Sequence, residues 1–332
     1  MAEQQQQAFA KRPVSVLTLD VGGSAIKYGV CNEFAQITHK GEVPTPCAVE
    51  STVEDLLQAL DGVVVEVKAQ TPIEGIAISL PGCINPDGSM RTGGALPYNY
   101  GQPLADLIEK RTGMRPVLVN DAKAAAAAEL WIGALQGVES GAVLILGTGL
   151  GGGIIVNGKV YNGPHGSAGE LSAFVHNMPS FTESLDCEAS HVSTTGLVIA
   201  ACEALGLEYT FTPDVATRHM PLDGRKIFAL YHEGNEAIRQ VIADFGYNVG
   251  KLIFNLSVVL DLQKVAIGGG ISCQECLIDA IRVGTEKAWE TNPVCGLKPP
   301  LITMPEVLGC QFHNDANLIG VMRQYLEVHD LL

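Results

Sequence analysis

Basic residues are scarce in this sequence. Lys and Arg number 21 against 36 Asp and Glu, the net charge is −15, and no block of Lys and Arg occurs. A nucleic-acid surface carries a basic footprint, so no such partner is expected. No apolar run approaches the roughly 18 residues that cross a bilayer, so no membrane partner is expected either. Met1 to Arg12 is polar and Gln-rich, without the apolar core of an export signal. That predicts a frayed, disordered tail and a cytoplasmic protein. The nine cysteines are odd in number and dispersed through 332 residues, which argues for reduced thiols rather than a disulfide framework. Cys273 and Cys276 form a Cys-x-x-Cys with no second pair, and so read as structural rather than as a metal site.

What is abundant is glycine, at 37 residues in clusters, which marks tight turns and close backbone approaches. Hydrophobic residues make up 47% and charged residues 17%, a globular balance in a chain long enough for two domains. Val14 to Leu19 reads as a buried strand, Asp20 to Ser24 as a glycine turn, and Ile26 to Val30 as the returning strand. The pattern restarts with a strand at Ala142 to Leu146, a turn at Gly147 to Gly153 and a return at Ile154 to Val156. Between the two units come a helix over Val53 to Lys68, a strand from Gly75 to Ser79 and a helix over Pro103 to Thr112. A strand from Pro116 to Val119 then leads into an Ala-rich helix opened by Asn120 and Asp121. Ala229 to Leu260 is helical in pattern, Val265 to Ile267 is a strand, and Ala316 to Val328 is the last helix. Two strand–turn–strand units, alike in pattern rather than in residue identity, predict related α/β lobes facing one cleft.

Phosphate binding needs closely presented backbone N–H groups, which favours glycine in tight turns. Asp20-Val21-Gly22-Gly23-Ser24 offers this, with a carboxylate able to hold Mg²⁺ through water. A plain turn between two strands is the other reading. The denser run from Gly147 to Gly153 has the same two readings. Neither run is a Walker A loop, since no Gly-Lys-Ser/Thr follows, and neither is a dinucleotide fingerprint, since extended sequence rather than helix follows. Asn120 and Asp121 suit a helix N-cap. They equally suit a carboxylate base with an amide beside it for a hydroxyl. Glu170 and Glu188 are either solvated surface carboxylates or acceptors for sugar hydroxyl protons.

Taken together and in this order, these segments resemble the ROK family of bacterial sugar kinases over Val14 to Tyr325. The matching pieces are Leu19 to Ser24, Ser79 to Gly82, Val119 to Ala122, Leu146 to Gly153, Ala168 to Glu170 and Ile267 to Ser272. The resemblance implies an α/β, two-lobed, actin-like ATPase (ribonuclease H-like) fold with a central cleft. Behind a tail of residues 1–12, residues 13–119 plus 317–332 would form the small lobe and 120–316 the large lobe. It also implies roles. Asp20, Gly22, Gly23, Ser24 and Lys27 would meet the phosphates of ATP, with Asp20 on Mg²⁺. Gly147, Thr148, Gly149 and Gly151 would form the second phosphate loop, and Gly269 and Gly270 would border the adenosine. Asp121 would be the general base, Asn120, Glu170 and Glu188 would bind sugar hydroxyls, and Gly82 would pack close to the sugar.

The sequence departs from the family pattern in places. Many members carry a His three residues after the Glu of the Gly-Glu motif, where this chain has Ala173, and a cysteine-rich zinc knuckle, where Asn177 to Cys187 holds one Cys. A zinc-free kinase needing only ATP and Mg²⁺ is therefore expected. The gap after Glu188 is one residue longer than usual, so Asp186 or His191 could share its role. His165 and His176 flank the sugar segment as loop histidines or as partial stand-ins for the missing one. Ala25 stands where Lys is frequent, while Lys27 is retained. No helix-turn-helix pattern precedes Val14, which argues against the repressor branch. The expected activity is transfer of the ATP γ-phosphate to the 6-hydroxyl of glucose or a related hexose. β-Glucosides, N-acetylmannosamine, mannose and fructose are the alternative substrates, and a homodimer is the common assembly of such families. A non-catalytic sugar sensor is the alternative class. Asp121 argues against it, because a pure binder needs no base.

Overall fold

Two five-stranded sheets of one plan form the frame, in a computed structural model that describes residues 10–175, 187–212, 218–296, 300–312 and 314–332. In the first sheet β1 (Ser15–Val21) pairs antiparallel with β2 (Ala25–Asn32), and β2 with β3 (Ile37–Pro44). On its other side β1 runs parallel to β4 (Gly75–Leu80), and β4 to β5 (Val117–Asn120). In the second sheet β6 (Ser140–Leu146) pairs antiparallel with β7 (Leu150–Val156), and β7 with β8 (Lys159–Val160). There β6 runs parallel to β9 (Lys264–Gly268), and β9 to β10 (Glu306–Gly309). The orders β3-β2-β1-β4-β5 and β8-β7-β6-β9-β10 are one path taken twice. The repeated pattern around the glycine turns is thus a repeat of topology.

Burial on both faces explains the unbroken apolar runs of the central strands. Leu17, Leu19 and Val21 of β1 join a core with α1 (Val53–Gln70) and α2 (Leu104–Thr112), while Val16 joins the core of α9 (Ala316–Val328). The start of α1 is set by a capping box in which Thr52 and Asp55 satisfy each other's backbone N–H groups. The helix α3 (Asp121–Ile132) packs on the second sheet and on α9, and every residue from Ala122 to Trp131 is buried. A helix with no wet face needs no polar stripe, and its alanines let both neighbours come close. At Gly320 of α9 an added Cβ would lie 1.7 Å from the Ala124 carbonyl oxygen.

The same packing corrects one expectation. Gly147 to Gly153 is not one turn, because β7 begins at Leu150 and only Gly147 to Gly149 turn the chain. The later glycines are strand residues kept small by what covers them. A Cβ at Gly151 would meet that of Ala122 at 3.0 Å, one at Gly153 would meet that of Ala126 at 2.2 Å, and one at Gly152 would strike Leu171.

Five further helices cover the second sheet: α4 (Ala189–Val192), α5 (Thr194–Ala204), α6 (Gly224–His232), α7 (Glu236–Leu260) and α8 (Glu275–Thr291). The stretch expected as mostly helical to Leu260 holds the end of α6 and all of α7, whose start the Asn235 side chain caps. Helices α7 and α8 cross backbone to backbone at Gly246, Gly250 and Gly284. Lys11 and Arg12, expected within the frayed tail, are anchored. The Lys11 N–H donates to the Leu331 carbonyl at 2.8 Å, and Arg12 pairs with Glu74 at 2.8 Å. Among the described residues no helix is long and apolar enough to cross a membrane.

Candidate active site

Parallel strands of both sheets end at one cleft, the usual place for a site in an open α/β sheet. Pro81 and Gly82 after β4, Asn120 ending β5, Gly147 after β6 and Gly269 after β9 all line a cavity of about 690 Å³. Asp121, Glu170, Thr148, Gly149, Gly151 and Gly270 line it too.

Asp121 opens α3 at the point where the chain leaves the first sheet for the second. Its Oδ1 accepts the Ala122 N–H at 2.8 Å. Burial pushes its pKa up to about 6, against the pull of that N–H, and the negative charges of Asp20 and Glu170 add to the rise. A carboxylate so tuned is ionised at neutral pH yet basic enough to accept a proton. Asn120 is committed on both sides. Its Oδ1 caps the helix by accepting the Lys123 N–H at 3.2 Å, and its Nδ2 donates to the Gly82 carbonyl at 3.0 Å. The Asn120 amide also hydrogen-bonds the Asp121 carboxylate, which favours its ionised form. Gly82 has φ +96°, and a Cβ there would lie 2.3 Å from the Thr92 carbonyl oxygen, so contact with the chain itself already demands glycine.

The turn Gly147–Gly149 is held from behind. The Thr194 N–H and hydroxyl donate to the carbonyls of Gly147 and Leu146 at 2.9 Å each, and the Thr195 hydroxyl to that of Thr148 at 2.8 Å. Ser172 bonds both backbone groups of Leu150 at 2.9 Å. Beyond this turn lies a second cavity of about 630 Å³, shared at Gly147, Thr148 and Gly270 and walled by Phe211, Met220, Leu222 and Phe228. Arg218 stacks 4.6 Å over the Phe211 ring there. One mouth with backbone amides between two cavities suits a nucleotide, with phosphates at the turn and the base beyond. Gly269, with φ +98°, has no room for a Cβ against the Leu146 carbonyl, and Gly270 starts a short 3₁₀ turn beside it.

The first glycine turn borders the cleft rather than lining it. Gly22, Gly23, Ser24 and Lys27 are absent from the cavity wall, although Gly23 packs near Ala95, which belongs to it. The turn is closed by the Gly22 N–H donating to the Ala25 carbonyl at 2.9 Å, and Lys27 stands across from Asp20 in the β1–β2 register. Asp20 is reached through Asn317, which lines the cavity and donates to Oδ1 at 2.8 Å. Burial raises the Asp20 pKa, opposed by Asn317, Ser79 and Lys27. Glu188 is buried, its N–H donating to the Phe174 carbonyl at 2.7 Å, and it does not line the cavity. His165 is exposed and His191 half-buried, while His176, Asp186 and most of the region of the family's zinc knuckle lie outside the described residues. Among the described residues no group of three or more His, Cys, Asp and Glu is set to hold a metal.

Four residues of this region escaped sequence reading: Asn317, Ser172, Glu129 and Lys123. Each acts on a segment distant in sequence, and no local pattern marks that role.

A doubled α/β frame around such a cleft defines a phosphotransferase of the actin-like class. The ROK family model matches residues 16–322, and the chain belongs to the ROK family. It is 29% identical to a glucokinase of Halalkalibacterium halodurans over 76% of this chain and 79% of that one. It is 28% identical to a β-glucoside kinase of Listeria monocytogenes over 95% and 98%. Among solved structures, a ROK family protein from Streptococcus pneumoniae in complex with sucrose superposes with a TM-score of 0.80, at 26% identity, over 96% of this chain and 100% of that one. A ROK glucokinase from Streptomyces griseus in complex with glucose and AMPPNP gives 0.74, at 25% identity, over 92% and 97%.

Proposed function

We propose that the protein transfers the γ-phosphate of ATP to a hexose hydroxyl, the 6-hydroxyl of glucose first, with Asp121 as the general base. The observation that carries this reading is the position of Asp121, at a helix start in the cleft with its pKa raised to about 6. A sensor without catalysis has no use for such a group. In this reading Asp121 takes the proton from the attacking hydroxyl, and Glu170 and the Asn120 side chain orient the ring. The turns Gly147–Gly149 and Gly22–Ser24 and the Gly269–Gly270 corner hold the nucleotide. Asp20 fits a hydrated Mg²⁺, being a hard oxygen donor whose burial a cation would relieve. That ion, arriving with ATP, supplies charge neutralisation on the phosphates. Glu188 acts from behind the sugar segment in this scheme, by supporting it. The family likeness favours a homodimer, and the nine dispersed cysteines favour a reducing, cytoplasmic setting.

A coupled ADP-release assay tests the activity across glucose, β-glucosides, N-acetylmannosamine, mannose and fructose. ATP turnover that requires one of these sugars is expected. Sugar binding without any sugar-dependent turnover would overturn the reading in favour of a sensor. We also expect no structural zinc, because Ala173 replaces the family's ligand and Cys187 is alone in its segment. Elemental analysis of the purified protein checks this, and one tightly held zinc per chain would contradict it.

A further inference from the structure

Lys123 is a buried cation that the phosphate chemistry leaves unused. It lies in the first turn of α3, two residues after Asp121, and is 3% exposed. Burial lowers its pKa, while the negative charge of Glu170 pulls the other way. A methionine would fill the same space without the cost of burying a charge, so a lysine here calls for a use. Its Nζ donates to the Gly166 carbonyl, across 43 residues of sequence.

Gly166 belongs to the loop that ends in Glu170. The loop is gripped along its length. The His165 carbonyl accepts from Arg91 Nη1 at 3.1 Å and from the Cys83 thiol at 3.7 Å, both from the segment that follows β4. Gly166 itself has φ +69°, and a Cβ there would lie 2.2 Å from the Ile84 carbonyl oxygen. At the far end Gly169, at φ +82°, packs against β7 so closely that a Cβ there would lie 2.7 Å from the Gly152 carbonyl oxygen. Arg91 and Cys83 therefore bind the loop to the first sheet, and the Gly169 contact binds it to β7. Among the described residues, the Lys123 ammonium is what links Gly166 to the helix that carries Asp121.

We propose that Lys123 is a positioning residue for sugar binding: its ammonium holds the Gly166 carbonyl and so fixes the Glu170 loop against the helix of Asp121, at the separation one sugar ring needs. The proposal rests on the kinase reading given above. It predicts a division of effects. Glu170 faces the sugar, whereas the nucleotide turns are anchored through Thr194, Thr195 and Ser172. Loss of Lys123 should thus loosen one substrate and spare the other.

The test uses steady-state kinetics with the sugar that supports turnover in the wild type, a turnover that reports on the kinase reading separately. Lys123→Met should raise the sugar KM by about tenfold or more, the size of one charge-assisted hydrogen bond, with the ATP KM within about twofold. Lys123→Gln keeps an N–H for the carbonyl and should recover part of that affinity. A general loss of structure would move both KM values together. An unchanged sugar KM in folded Lys123→Met, or equal rises for sugar and ATP, overturns the proposal. Should Lys123→Met not fold, Lys123→Gln decides alone: a sugar KM about threefold higher with ATP unaffected supports the assignment, and an unchanged sugar KM refutes it.

Discussion

Asp121 combines two demands that oppose each other. As the proposed base it must be ionised, and burial in the cleft resists ionisation. With its pKa at about 6, kcat/KM for the sugar should rise about tenfold per pH unit below 6 and level off above it, as the carboxylate loses its proton. A flat profile between pH 5 and 7 would contradict the assignment. Asp121→Asn should lower kcat by about 10² or more with a smaller change in sugar affinity. The same change should stabilise the fold. The folded-state pKa lies above the unfolded one, so the native carboxylate costs stability as pH rises from about 4 through 6, and that cost is fully present at pH 7. Removing the charge should return roughly 3 kcal/mol, visible as a higher Tm at pH 7 and little difference at pH 4. Gly149 offers a complementary test. A Cβ there meets only the Ser172 hydroxyl, at 3.0 Å, so Gly149→Val should fold and lose nucleotide affinity in calorimetry.

Helix α3 shows why some of the design could be read in advance and some could not. Its start at Asn120-Asp121 was legible, because capping residues between a strand and an alanine run are a local signal. Seven of the ten described strands and the first glycine turn were legible for the same reason, whereas β3, β8 and β10 were not read and the second turn was drawn through the start of β7. The function of Gly151 and Gly153 was not, since their small size answers Ala122 and Ala126 across a helix–strand contact that sequence spacing cannot show. Glu129 was equally opaque. It is fully buried in the last turns of α3, where Oε2 accepts the Ala134 N–H at 2.8 Å and Oε1 those of Gln311 and Phe312 at 2.8 and 3.0 Å. It thereby ties α3 to the segment that carries the chain back from β10 to α9. Glu129→Gln keeps the shape but turns a donor toward one of these N–H groups, and should cost roughly 2 kcal/mol in urea unfolding. Gly320→Ala should cost at least as much, because its methyl would enter the Ala124 carbonyl and force α3 and α9 apart.

The two sheets repeat one topology, yet they are not completed alike. The strands of the first sheet are contributed by residues 15–120, whereas α9, which covers one of its faces, spans Ala316–Val328. Everything in the second sheet is translated in between. During synthesis the first half therefore leaves the ribosome early and waits, with Val16, Ala77 and Val119 uncovered, until almost two hundred further residues have followed, as the interval from Asn120 to Ala316 requires. A nascent chain stalled before Ala316 should be protease-sensitive in its N-terminal third even where its second sheet is already protected, and chaperone contact should concentrate on the part of the protein made first.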